Sequence, residues 1–460
     1  MNKNFENIII GFGKGGKTLA SALVSAGQTT ALIEKDPNMY GGTCINVACI
    51  PSKSLENSAR LSAAIGGDFE EKSERYAVAI AEKRRVTGML RKKNYDKAVM
   101  AGVSVLTGTA SFADSHTVKV SYEDGTSEEL TGERIFINTG SRPFIPPIPG
   151  LKESRRAFTS ETLMENDILP RRLVIIGGGY IGLEFSSYFT NFGSEVTVIQ
   201  DGEAFIPRED EEISQAVYDS LTARGVKILR SAKTSSVRDR ENCAELSVNI
   251  SGEEIKLEAD AILVAVGRRP NLEGLNIEAS GVQLSERGAV KTDEHLRTSV
   301  PHIWAMGDIV GGQQFTYISL DDYRIVRSSV LGDGTRTVSN RGAVPYTVFL
   351  DPPMSRVGLS ESEAKAKGIR YATAKMPAAA IPKAQVLKKT DGMLKAIIDA
   401  QSGMILGAHF FCAESQEMIN LVKLCMDNGL PYTVLRDNIY NHPTMTESLN
   451  DLFTSVSDAQ

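Results

Sequence analysis

The chain has 460 residues, 42% hydrophobic and 23% charged, with 40 glycines and 17 prolines, a composition that excludes disorder, collagen-like repeats and a disulfide-dense miniature scaffold. Its length suffices for about three domains. The net charge of −6 is spread along the chain and argues against nucleic acid as a partner, which would need a basic face.

No run approaches the roughly 20 apolar residues of a membrane span. The most apolar window, residues 173–185, is interrupted by Gly177, Gly178 and Gly179. The N-terminus passes directly into Ile8-Ile9-Ile10 without a signal-peptide pattern. With only five cysteines, this predicts a cytoplasmic protein with few structural disulfides and no membrane partner, in which a close cysteine pair would be redox-active or metal-binding.

Residues 7–10 read as a buried strand leading into Gly11-Phe12-Gly13-Lys14-Gly15-Gly16. Leu19, Ala22, Leu23 and Ala26 then recur at helical spacing, and a second strand over residues 29–33 ends at Glu34. Glycines at this spacing, between strand and helix, let backbone N–H groups approach a pyrophosphate at a helix N-terminus. An acid after the second strand is placed to accept ribose hydroxyls.

The next segment holds Cys44 and Cys49 in Gly41-Gly42-Thr43-Cys44-Ile45-Asn46-Val47-Ala48-Cys49-Ile50-Pro51-Ser52-Lys53. Half a zinc site, two inert buried thiols and a redox pair are the readings open to it. Cys243, Cys412 and Cys425 are scattered and supply no second pair for zinc. Residues 70–97 mix both charge signs around Tyr76, Ile80, Val86 and Leu90, which predicts a solvated amphipathic helix rather than a basic patch.

The strand–glycine–helix unit then repeats. Residues 173–176 lead into Gly177-Gly178-Gly179-Tyr180-Ile181-Gly182, Phe185, Phe189 and Phe192 mark a helix face, and residues 195–199 form the next strand. One offset of 166 residues carries Gly11, Gly13 and Gly16 onto Gly177, Gly179 and Gly182, and Glu34 onto Gln200. Thr139-Gly140-Ser141-Arg142-Pro143 is echoed by Gly267-Arg268-Arg269-Pro270. Gln200 would not repel a 2′-phosphate as a carboxylate does, but Asp201 and Glu203 would, and this favours NADH over NADPH. From residue 344 the texture changes to a separate α+β segment, with a strand expected over residues 344–349. The predicted fold is α/β: two Rossmann-like dinucleotide-binding domains and a C-terminal α+β domain. The expected boundaries are 1–150, 151–272, 273–343 (a return to the first domain) and 344–460.

The dithiol segment resembles the redox-disulfide motif of the class I pyridine-nucleotide–disulfide oxidoreductases, which include dihydrolipoamide dehydrogenases, glutathione reductases and mercuric reductases. The resemblance spans essentially the whole chain. Ile303-Trp304-Ala305-Met306-Gly307-Asp308 is similar to a flavin motif of that family, and His442-Pro443-Thr444-Met445-Thr446-Glu447 to its C-terminal His–Glu motif. Residues 11–20, 314–324 and 442–453 resemble a subgroup of bacterial reactive-chlorine-resistance flavoproteins that reduce copper(II).

The resemblance implies that FAD is held by Gly11, Gly13, Gly16, Glu34, Gly42, Thr43, Lys53, Ala110, Thr139, Gly140 and Asp308. It implies that the nicotinamide nucleotide is held by Gly177, Gly179, Gly182, Gln200 and Gly267, with Tyr180 covering its pocket. Cys49 would be the thiol beside the flavin, Cys44 the interchange thiol, and Lys53 and Glu184 a pair near the flavin. His442, as a base, and Glu447, which would fix its tautomer, would reach the disulfide of a partner subunit in a homodimer. Alone, His442 reads equally as a surface or packing histidine. Two departures stand out: Ala48 where many members have Gly, and Phe315-Thr316-Tyr317-Ile318 where Leu-Thr-Pro-Val is usual.

No structural metal site is expected, and a metal-ion substrate would land on Cys44 and Cys49. A copper(II) reductase in oxidative-stress defence fits the subgroup best, and a dihydrolipoamide dehydrogenase is the alternative. A mercuric reductase is disfavoured because no cysteine pair follows Glu447, and a low-molecular-weight thioredoxin reductase because the second nucleotide unit has no CxxC. A flavin-bound redox sensor that does not turn over is a reading of a different class.

Overall fold

Three successive Ile side chains at Ile8, Ile9 and Ile10 are buried, as expected of a parallel strand covered on both faces. The computed structural model describes residues 2–458. The strand Asn2–Ile10 lies parallel between Thr30–Glu34 and Ser127–Ile137, with Ile8 opposite Ala31 on one side and Ile135 on the other. Ser104–Thr107 extends the sheet beyond Thr30–Glu34, Thr117–Ser121 and Thr109–Phe112 add an antiparallel edge, and Ile303–Ala305 returns to pair with Ser127–Ile137. This last pairing brings Asp308 into the same cleft as the first glycine loop.

The second sheet is built the same way and is wholly parallel, in the order Lys227–Leu229, Glu195–Ile199, Arg172–Ile176, Ala261–Val264, Ala157–Thr159. A three-stranded antiparallel sheet, Ala232–Asp239, Ala244–Ile250 and Glu253–Ala259, completes this unit. Its signal was the inward alternation Ala244, Leu246, Val248, which the sequence reading passed over. The two echoed segments meet: Ser141–Pro143 pairs antiparallel with Arg268–Pro270 and ties one nucleotide unit to the other.

The C-terminal part is a six-stranded antiparallel sheet backed by the helix Ser415–Asp427. Its first strand is Tyr346–Val348, shorter than the expected 344–349. Pro345 has no N–H to give, and the Phe349 N–H leaves the ladder for Glu184 Oε1 at 2.9 Å. The mixed-charge stretch is the helix Phe69–Met100, started by an Asp68–Glu71 capping box. It is less solvated than its charges suggest, since it buries Tyr76, Ile80 and the whole Lys83 side chain, whose ammonium meets Glu165 at 2.5 Å. No described helix is long and apolar enough to cross a membrane.

Candidate active site

One cleft of about 2950 Å³ runs between the two glycine loops. Ordinary ligand pockets hold roughly 300–1,000 Å³, so this space accommodates two dinucleotides rather than one small ligand.

At the first loop, Gly11 adopts φ +106°, and a Cβ there would lie 2.3 Å from the Asn138 carbonyl oxygen. Only glycine allows the strand to pass so close. Asn138 also fixes the loop with its side chain, accepting the Gly16 N–H at 2.7 Å and donating to the Met306 carbonyl at 2.8 Å. Glu34 accepts the Phe12 N–H at 3.0 Å, and burial pushes its carboxyl up despite backbone donors that pull it down. Gly13, Gly42, Thr43, Ala110, Thr139 and Gly140 line the same space. The Thr139 hydroxyl is buried without a partner, so a polar group of a ligand is what this wall lacks. Asp308 accepts Ser141 Oγ at 2.7 Å, and burial raises its carboxyl. An acid-ended ribose site, a close backbone approach and an orphaned wall hydroxyl fit FAD.

Gly16 and Gly182 do not line the cleft. A Cβ on Gly16 would meet the Gly11 carbonyl oxygen at 2.5 Å, and one on Gly182 the Gly177 carbonyl oxygen at 2.1 Å. In each copy the third glycine lets the helix close on its own loop.

Cys44 lies in the short helix Thr43–Asn46 and Cys49 begins the helix Cys49–Ile65, both facing the cleft. In the reduced pair the Cys44 thiol hydrogen-bonds Cys49. That bond lowers Cys49 to about 6, against the opposing pull of burial, with help from Thr316 and Lys53. Cys44 is raised by the same bond and by burial. At neutral pH the charge therefore sits on Cys49, while Cys44 keeps its proton until a base removes it. Thr316 Oγ1 lies 3.5 Å from Cys49 Sγ.

Lys53 Nζ donates to Glu184 at 2.7 and 2.9 Å and sits 4.6 Å over the Phe349 ring. Tyr180 and Glu184 are one helical turn apart on the helix Tyr180–Asn191, so they share a face. The Tyr180 hydroxyl donates to Glu209, as does Tyr346 at 2.5 Å. Gly177, Gly179 and Gly267 line this half of the cleft. Gln200 is nearly buried, and its amide nitrogen donates to the Gly202 and Ala204 carbonyls at 3.2 and 2.5 Å. Its Oε1 faces the glycine loop, 2.4 Å from where a Gly178 Cβ would stand.

His442 and Glu447 are bonded to each other, Nδ1 to Oε2 at 2.8 Å, but neither lines the cleft, and the imidazole is 71% exposed. Among the described residues no group of three or more His, Cys, Asp or Glu side chains is arranged to hold a metal ion. Sequence reasoning missed the parts played by Asn138, Ser141, Glu209, Thr316 and Tyr346. Of these, only Asn138, just before the first echoed segment, and Ser141, within it, carried a local signal.

A dithiol set between two dinucleotide loops defines a redox enzyme of the flavin–disulfide type. The chain belongs to the pyridine nucleotide-disulphide oxidoreductase family, whose model matches residues 5–322, followed by a match to that family's dimerisation domain over residues 344–453. It is thus an FAD-dependent oxidoreductase that works with NAD(P)H. It is 46% identical over 457 residues to the probable pyridine nucleotide-disulfide oxidoreductase RclA of Escherichia coli, covering 99% of this chain and 100% of that one. A mercuric reductase of Staphylococcus aureus is 32% identical (97% and 81% covered), and a dihydrolipoyl dehydrogenase of Bacillus subtilis is 32% identical (96% and 94% covered). The solved structure of a Cu(II) complex of the HOCl-induced flavoprotein disulfide reductase RclA from E. coli superimposes with a TM-score of 0.93 at 45% identity, covering 99% of each chain.

Proposed function

We propose that this protein is a cytoplasmic, homodimeric NADH-dependent reductase that passes electrons through the Cys44–Cys49 pair to copper(II) in defence against oxidants. The observation that carries the reading is the dithiol itself, Cys44 and Cys49 facing one cleft between two glycine loops. FAD, when bound, supplies the passage from a two-electron hydride donor to thiols and one-electron acceptors. Overall, one NADH and two copper(II) ions give NAD⁺, two copper(I) ions and one proton.

The first loop with Glu34, Thr139 and Asp308 would hold FAD, and the second loop the nicotinamide nucleotide. Lys53 and Glu184 would fix each other at the inner wall. Soft thiolates suit copper, and the full-length likeness to a protein solved as a copper(II) complex supports that acceptor. Cys44 holds its proton, so attack on an acceptor needs a base. His442, oriented by Glu447 and exposed, supplies one when it comes from a second copy, and the match to a dimerisation domain supports that arrangement.

The test is anaerobic NADH oxidation with copper(II) or lipoamide as acceptor in parallel. Many copper-dependent turnovers per flavin with little lipoamide reduction are expected. Fast lipoamide reduction would instead make this a dihydrolipoamide dehydrogenase, and absence of turnover with either would make it a sensor.

The nucleotide preference follows from Gln200. Its two amide hydrogens are spent on the Gly202 and Ala204 carbonyls, so only an acceptor oxygen faces the loop. An acceptor takes hydrogen bonds from ribose hydroxyls but repels a 2′-phosphate. We expect kcat/KM for NADH to exceed that for NADPH by about tenfold or more, and an NADPH preference in the same assay overturns the assignment.

A further inference from the structure

Tyr180 is the first residue of its helix, directly after the second glycine loop, and its phenol is not free. It donates to Glu209, a carboxylate that is 5% exposed. Glu209 also receives the hydroxyl of Tyr346, a residue of the C-terminal sheet, at 2.5 Å. The two hydroxyls lie 3.2 Å apart, and the rings pack at 5.6 Å. Arg356, nearly buried on the next strand of that sheet, donates to the Arg208 carbonyl beside Glu209 and stands 3.8 Å from the Glu209 carboxylate. The loop carrying Glu209 is held under strain: Ile206, a β-branched residue, has φ +37°, and its carbonyl accepts the Glu209 N–H at 2.9 Å. Burial first, and the Glu209 charge second, keep both phenols protonated and therefore donors.

We propose that Glu209 is a positioning residue that latches Tyr180 across the nicotinamide pocket, the latch being set by Tyr346 and Arg356 from the C-terminal sheet. The inference rests on the reading that the second glycine loop takes the nicotinamide nucleotide. For the ring to swing aside, one hydrogen bond must break. Glu209 Oε1 keeps its Tyr346 donor meanwhile, so that oxygen is not left without a partner and the latch can open. The latched form competes with the nucleotide, and apparent affinity is lowered by the fraction of molecules that are latched.

The test is calorimetric titration of NAD⁺ into the oxidised holoenzyme, for wild type, Tyr180→Phe, Glu209→Gln and the double variant. Tyr180→Phe keeps the ring and loses only the latch, so Kd falls by about threefold to tenfold, the worth of one net hydrogen bond. Glu209→Gln keeps the shape but weakens the acceptor, and Kd falls in the same direction. The double variant gains no more than the larger single one, and KM for NADH follows Kd while kcat changes by less. Kd unchanged or raised in both single variants, or effects that multiply in the double, would overturn the latch alone. A wild-type enzyme that binds no NAD⁺ would overturn the reading of the second loop and the latch with it.

Discussion

Cys44→Ser should stop reduction of copper(II) and of any disulfide acceptor, by roughly 10³-fold or more, while anaerobic NADH still bleaches the flavin. The asymmetry of the thiols explains why. Cys49 is the ionised partner at neutral pH, held there by the Cys44 thiol, Thr316 and Lys53, and none of those last two contacts depends on residue 44. A serine hydroxyl can still donate to Cys49, so the inner half of the site keeps its charge. What disappears is the outer sulfur, which must be deprotonated, attack the acceptor and later close the disulfide. Stopped-flow reduction by NADH and steady-state acceptor turnover separate these halves, and unchanged turnover in the variant would remove Cys44 from the electron path. In the wild type, turnover should also decline as the pH drops through about 6, where Cys49 takes up its proton.

Much of this site was legible in the sequence because its backbone determinants are local. A strand, three glycines, a helix and a terminal acid fall within about thirty residues, and their repetition at one offset made both nucleotide loops readable. The pairing of Lys53 with Glu184 was legible only through the family resemblance, since a separation of 131 positions hides it. Glu209 and Tyr346 were not legible at all. Each is an ordinary residue in its own segment, and their meaning comes from the meeting of a loop and a sheet 137 residues apart. The departure at Phe315-Thr316-Tyr317 was noted as a difference, but its content is spatial. Phe315 stacks on Tyr346 at 5.8 Å and on Tyr317 at 5.2 Å, so the chain beside the thiols is joined to the Tyr180 latch by aromatic contact. Gln200 shows the limit differently: the offset points to the residue, but which of its amide atoms faces the glycine loop is set by two loop carbonyls downstream.

The largest effect on stability is expected at Lys395, not in the cleft. Its side chain is almost wholly buried, and its ammonium bonds Asp210 at 2.8 Å and Glu212 and Glu361 at 2.6 Å each, joining the second nucleotide unit to the C-terminal sheet. Burial alone would raise the Asp210 carboxyl, but Lys395 outweighs it and holds it below the usual range; Glu212 and Glu361 are held low in the same way, with Lys375 also acting on Glu212. Lys395→Met keeps the volume and leaves Asp210, 1% exposed, as an uncompensated buried charge, at a cost of about 3–5 kcal/mol.

Urea unfolding followed across pH separates this network from its neighbour His409. A carboxylate whose folded pKa is depressed stabilises fully above its unfolded value, and the contribution is lost as pH falls through the folded one. The gap between wild type and Lys395→Met should therefore be widest near neutrality and close below about pH 4, near the ordinary carboxylate values. His409 acts in another window. Burial pushes it from 6.5 down to about 4, against its bond to the Leu359 carbonyl and with Arg356, Asp210 and Lys395 close by. The unfolded chain binds that proton first, so the wild type should lose up to about 3 kcal/mol between pH 6.5 and 4, and Lys395→Met less, because it removes a cation that holds His409 down and leaves Asp210 unpaired beside it. A gap independent of pH would mean that Lys395 acts through packing rather than charge. A small gap at every pH would mean that water reaches Asp210 and satisfies it in place of the ammonium.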